Sequence, residues 1–80
     1  FNPVTHIEYA LPKAVDVTIA IYDIMGRQVK ILTKEFQEPG YKTIQWQSKN
    51  EAGGLVGSGV YFYMISAGEF HQVRKMLLIK

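Results

Sequence analysis

The sequence predicts an all-β fold, an antiparallel sandwich of about six to seven short strands with Greek-key connections. Three observations predict it. Apolar and polar residues alternate along most of the chain, the period of a pleated strand with one buried face. Turn-forming residues punctuate these runs at short intervals. No window carries the three-to-four-residue apolar spacing of a helix.

The first alternating run sets Ile7, Tyr9 and Leu11 against His6 and Glu8. Pro12-Lys13-Ala14 separates it from the second, where Val15, Val17, Ile19 and Ile21 alternate with Asp16, Thr18, Ala20 and Tyr22. Asp23-Ile24-Met25-Gly26 then suits a type I turn closed by a left-handed Gly, the frequent three-residue hairpin loop. Asp23 is expected to accept the turn's backbone N–H groups. The third run carries Val29 and Ile31 between Gln28 and Lys30. Glu38-Pro39-Gly40 fits a type II turn, because Pro presets φ and Gly accepts a positive one. Ile44 and Trp46 alternate with Thr43, Gln45 and Gln47 in the fourth run. The longest loop, Asn50 to Ser58, holds Gly53, Gly54 and Gly57. Gly59 to Ser66 is apolar on both faces, as a central strand would be. Gly68-Glu69 suits a type II′ hairpin turn. Val73 to Ile79 is the last strand, and its parity switches near Lys75 and Met76, which predicts a bulge or a sheet edge there. The predicted core is Ile7, Tyr9, Val17, Ile19, Ile21, Val29, Ile31, Ile44, Trp46, Tyr61, Tyr63 and Ile65.

Eighty residues suit one domain, residues 1–80, with 1–3 read as the end of a linker from an upstream domain. A chain this short buries only about 60% of its unfolded surface, so the core must be well packed. Five Tyr, four Phe and one Trp supply the bulk. Without Cys there is no disulfide, thiolate chemistry or zinc–thiolate site. A net charge of +2 makes no electrostatic case for nucleic acid. No apolar run approaches the about 18 residues of a membrane span, so no membrane insertion is expected. Nor is there a charged, then apolar, then small-residue leader.

Catalytic constellations are missing too. Ser58 stands outside any nucleophile elbow, and the Gly53-Gly54-x-x-Gly57 loop lacks the Lys and helix of a phosphate cradle. His6 and His71 stand among non-ligands, and Asp16, Asp23, Glu51 and Glu69 lack calcium-loop spacing. The expectation is a non-enzyme without cofactor or metal. Trp46 shares parity with Ile44, which places it in the core rather than on a sugar-stacking surface. Tyr61 is expected as a corner residue whose hydroxyl bonds a nearby backbone carbonyl. Tyr22, Phe62 and Met64 share the opposite parity and form either an outward apolar patch for a partner or a second layer of core.

Five ordered motifs carry a resemblance. They are Phe1-Asn2-Pro3 with Thr5, Ile7, Tyr9 and Leu11-Pro12; Ile21 to Val29; Pro39-Gly40 leading to Trp46; Ser58 to Tyr63; and Arg74 to Leu78. In this order the chain resembles the type A C-terminal sorting domain of the type IX secretion system. A related group, the immunoglobulin-like domain of the flagellar hook-capping protein, shares much of the pattern. That group usually carries Trp-Asp-Gly, where this chain departs with Trp46-Gln47-Ser48; the Phe1-Asn2-Pro3 opening and a finish immediately after the last strand favour the sorting domain.

The resemblance implies a small immunoglobulin-like sandwich that directs an upstream cargo domain across the outer membrane. The implied partners are the secretion translocon, a sortase-like surface protease and the covalently linked cargo. The implied location is the periplasm in transit, then the cell surface or exterior. Recognition maps onto Gly59, Val60 and Tyr61, and onto Arg74, Lys75, Met76, Leu77, Leu78, Ile79 and Lys80. The alternative is a structural module of an extracellular filament or surface layer, self-associating through edge strands. A carbohydrate-binding accessory module is a further reading, and a buried Trp46 counts against it.

Overall fold

A computed structural model describes residues 3–80; Phe1 and Asn2, in the expected linker, lie outside the described residues. Six strands form in chain order: β1 (Thr5–Leu11), β2 (Val15–Asp23), β3 (Gln28–Gln37), β4 (Gly40–Trp46), β5 (Gly59–Ala67) and β6 (Phe70–Leu78). They divide into a two-stranded sheet, β1-β4, and a four-stranded sheet in the order β3-β2-β5-β6. All pairings are antiparallel. The predicted all-β sandwich is therefore the observed fold.

The alternation of the sequence becomes the division between faces. Val17, Ile19 and Ile21 of β2 and Tyr61 and Ile65 of β5 meet Ile7 and Leu11 of β1 and Trp46 of β4 in one buried cluster. Leu78 of β6 closes that cluster. Tyr9, Val29, Ile44 and Tyr63, all predicted in the core, pack around it half-buried, with Leu32, Val56 and Met76.

One core expectation needs correction, and one alternative is decided. Ile31 does not pack against the core; Leu32 does. The pairing of β2 with β3 slips between Ile19 and Ala20, where Ile19 faces Thr33 but Ala20 faces Ile31. This bulge spends Leu32 as the extra residue and turns Ile31 to the outer face beside Ala20. Conversely, β6 carries no bulge. Its register with β5 is unbroken from Phe70↔Ala67 to Leu78↔Gly59, and its mixed parity comes from being a sheet edge.

The two hairpin turns follow their chemistry, but the type II turn expected at Glu38-Pro39-Gly40 is only a bend, because Gly40 already pairs with Leu11 in the extended β4. Gly26 has φ 82°, its N–H bonds the Asp23 carbonyl at 3.0 Å, and Asp23 N–H bonds the Arg27 carbonyl at 2.9 Å. Gly68 has φ 61°, and a Cβ there would stand 2.9 Å from Val15 Cγ2, so the β5–β6 turn demands glycine twice over. Gly40, with φ 138°, starts β4 and carries the chain from one sheet to the other.

Candidate functional site

The long loop between β4 and β5 is an ordered lid on one end of the core. Lys49 bridges Leu55, and Val56 N–H bonds the Ser48 carbonyl at 2.9 Å. Asn50 holds the tip, its Oδ1 accepting from Gly54 N–H at 2.9 Å. Beneath it Trp46 is 1% exposed and donates from Nε1 to the Lys49 carbonyl at 2.9 Å. Tyr61 donates its hydroxyl to the Gly57 carbonyl at 2.7 Å, the corner role expected of it. A buried indole is no sugar-stacking platform, which counts against the carbohydrate-binding reading.

Ser48 is fully buried and holds φ 61°, a left-handed conformation that favours glycine. Its Oγ donates to the Pro3 carbonyl at 2.7 Å. Position 48 is where the hook-capping pattern Trp-Asp-Gly puts its Gly. The serine takes up the backbone geometry that Gly would supply and adds a hydrogen bond to the start of the domain.

The implied recognition residues are brought together as one hairpin: Gly59 pairs with Leu78, Val60 with Leu77 and Tyr61 with Met76. They do not share one surface. Tyr61 and Leu78 are buried and Met76 packs half-buried against the core. Val60, Lys75 and Leu77 lie on the outer face, while Arg74 is exposed on the inner face of β6. Ile79 and Lys80 follow the strand, and Lys80 N–H bonds Ser58 Oγ at 3.1 Å.

The outward parity of Tyr22, Phe62 and Met64 is realised. Tyr22 pairs with Phe62, Ala20 with Met64, and Met64 with Val73, while β6 adds Leu77 beside Val60. Val73 is 60% exposed and Leu77 67%, so this face is surface rather than a second layer of core.

The carboxylates have local work. Asp23 Oδ1 accepts from Met25 and Arg27 N–H at 2.9 and 3.0 Å, and its Oδ2 pairs with Arg27 Nε at 3.0 Å. The Arg27 backbone N–H bond comes first among the causes that hold the Asp23 pKa below the ordinary carboxylate range, aided by the Arg27 guanidinium. Glu51 reaches the outer edge of β3: its Oε2 accepts from Ile31 N–H at 3.0 Å, its own N–H bonds the Val29 carbonyl at 3.1 Å, and Oε1 lies 3.5 Å from Lys30 Nζ. It therefore satisfies backbone groups on an edge strand. Sequence reasoning missed this, because nothing local links position 51 to position 31. Among the described residues no group of three or more His, Cys, Asp or Glu could hold a metal ion. His71 Nδ1 lies 2.8 Å from Ser66 Oγ across the β5–β6 pair.

Compared with known proteins, the chain matches the sequence model of one family, described as the FlgD Ig-like domain, over residues 3–69. Among solved structures it superposes on FlgD from P. aeruginosa with a TM-score of 0.74 at 18% identity. The match covers 95% of this chain and 58% of that one, so the chain spans well under two thirds of that protein. No curated protein matches it.

These matches overturn the sorting-domain reading and its type IX export function. The motifs that suggested it are devices for building the sandwich: the Asp23–Gly26 turn, the Pro39-Gly40 crossing and the Tyr61 corner. Each has a structural job in this chain, so their order marks the architecture and not a cargo-sorting role. The departure from the hook-capping pattern at Gln47-Ser48 does not outweigh the family match, and Ser48 holds a φ of 61°, in the region that favours glycine.

Proposed function

The chain belongs to the FlgD Ig-like domain family, and on that premise we propose that it is a non-catalytic structural module of an extracellular bacterial assembly, a capping or scaffolding component of the flagellar hook kind. The observation that carries this reading is the family match over residues 3–69. The sandwich supports it. Two small sheets leave edge strands at their borders, and the outer face of the large sheet gathers Tyr22, Phe62, Met64, Val73 and Leu77 around a single Lys75. Such surfaces suit subunit contacts. Ile24 and Met25, 67% and 75% exposed at the β2–β3 tip, add an apolar point on the same molecule.

A domain exchange tests it. In a bacterium whose hooks disappear when the Ig-like domain of its hook-capping protein is deleted, this chain replaces that domain, and hooks are counted by electron microscopy. Hooks restored above the deletion strain are expected. A chimera that is secreted and folded but builds no hooks would sink the proposal.

A further inference from the structure

The sheets are unequal, two strands facing four. Strands lie about 4.8 Å apart, so about two strand widths of the large sheet's inner face extend past the small one. β4 sits on the β3 side, to which it is joined by the Pro39-Gly40 crossing. The uncovered area therefore lies over β5 and β6, next to β1. A cavity of about 670 Å³ opens there. Its apolar lining comes from Tyr9 and Leu11 of β1, Val15 of β2, Ile65 and Ala67 of β5, and Phe70 of β6. Phe70 lines this groove and is still 58% exposed.

Four features define what fits. Among the described residues β1 pairs only with β4, so its other edge presents unpaired N–H and C=O groups along the groove. Backbone groups of this kind are satisfied by an adjoining strand, not by a helix or a compact apolar ligand. The uncovered width takes one or two strands, not a second sandwich. The lining takes apolar side chains at every second position of such a strand. Beyond Gln72 on the same inward row stands Arg74, exposed, its guanidinium donating to the Gln72 side-chain oxygen at 2.7 and 2.8 Å with the amide oriented to accept, and without a carboxylate partner among the described residues. At the other end the lining holds one charge of each sign, Lys13 and Glu69. The β3 edge offers no equal site, because Glu51 already occupies its groups at Val29 and Ile31.

We propose that this groove takes one extended segment of another polypeptide as a third strand on β1, apolar at alternate residues and acidic at the end that reaches Arg74. The inference rests on the structural-module reading, to which it adds the chemistry of a partner segment. Strand addition of this sort draws affinity from main-chain bonds and selectivity from alternate side chains.

The test uses the 80-residue chain labelled for NMR and two peptides of about eight residues, a usual strand length. Both alternate Thr and Val; one carries Glu at each end, the other Lys. Saturable shifts at Tyr9–Leu11 and Ala67–Gln72, with slowed amide exchange on β1, are expected for the Glu peptide at about ten-fold lower Kd than for the Lys peptide. Arg74→Glu inverts that preference. Phe70→Asp, at an exposed site, weakens both by about ten-fold or more. Shifts at β3, β4 or the outer face overturn the proposal, as does no saturable binding, or binding of an apolar dye that neither peptide displaces. These outcomes leave hook restoration by the chimera untouched. A chimera without hooks, with peptide still bound at β1, removes the functional reading and leaves the groove.

Discussion

Trp46 and Tyr61 meet edge to face, ring centroids 5.3 Å apart and planes at 63°, and each is anchored through its polar atom to the loop that covers them. The pair joins β4 of the small sheet to β5 of the large one, so the aromatic contact is also the link between sheets. Its polar ends set the position of the lid, through the carbonyls of Lys49 and Gly57.

Removing the Tyr61 hydroxyl isolates that anchor. Tyr61→Phe keeps the ring contact and leaves the Gly57 carbonyl without its donor, at a cost of about 1 kcal/mol. Trp46→Ala empties the centre of the core and costs about 4 kcal/mol. Urea unfolding followed by far-ultraviolet circular dichroism measures both. An unchanged midpoint for Tyr61→Phe would show that the hydroxyl anchor contributes nothing.

Position 48 separates backbone strain from hydrogen bonding. A left-handed conformation costs a side-chain-bearing residue about 1–2 kcal/mol, and the bond to Pro3 returns about 1 kcal/mol. Ser48→Gly relieves the first and loses the second, so its stability stays near that of the parent. Ser48→Ala keeps the strained φ, loses the bond and is less stable by about 1–2 kcal/mol. The reverse order of melting temperatures would contradict the strain argument.

Asp23 gives the turn a pH dependence. Its folded pKa is lowered, first by the Arg27 backbone N–H, so the stability it contributes is present above the pKa of the unfolded chain. That contribution is lost as pH falls through the lower, folded value. Asp23→Asn removes this part of the acid dependence and leaves the neutral-to-alkaline profile flat at this site. Thermal unfolding in an acid-to-neutral buffer series compares the two; parallel curves would mean that Asp23 has no part in acid stability.

Glu51 guards the β3 edge. Glu51→Ala frees the Ile31 N–H and the segment around it for pairing with another chain. Concentration-dependent association, absent from the parent, is the expected result in sedimentation velocity. Glu51→Gln retains an acceptor oxygen and stays closer to the parent. Monomeric Glu51→Ala at every concentration would remove the guarding role.

Alternation by itself determined that the chain is strands, and for most residues which face they show. Val17, Ile19 and Ile21 could point only one way together, because successive side chains on a strand leave opposite faces. Asp23, Gly26 and Gly68 likewise marked their turns, since few residues tolerate those backbone angles. The structure decided what no local pattern encodes. It divided the strands two against four, placed β6 at an edge, spent Leu32 in a bulge so that Ile31 turned outward, and brought Glu51 to β3 and Ser48 to Pro3. A period of two defines a strand's faces but not its neighbours, and the groove beside β1 is a property of neighbours alone. Family identity was ambiguous in the motifs for a related reason: Ser48 departs in sequence from a glycine, and only the folded backbone reveals that it holds a φ of 61°, in the region that favours glycine.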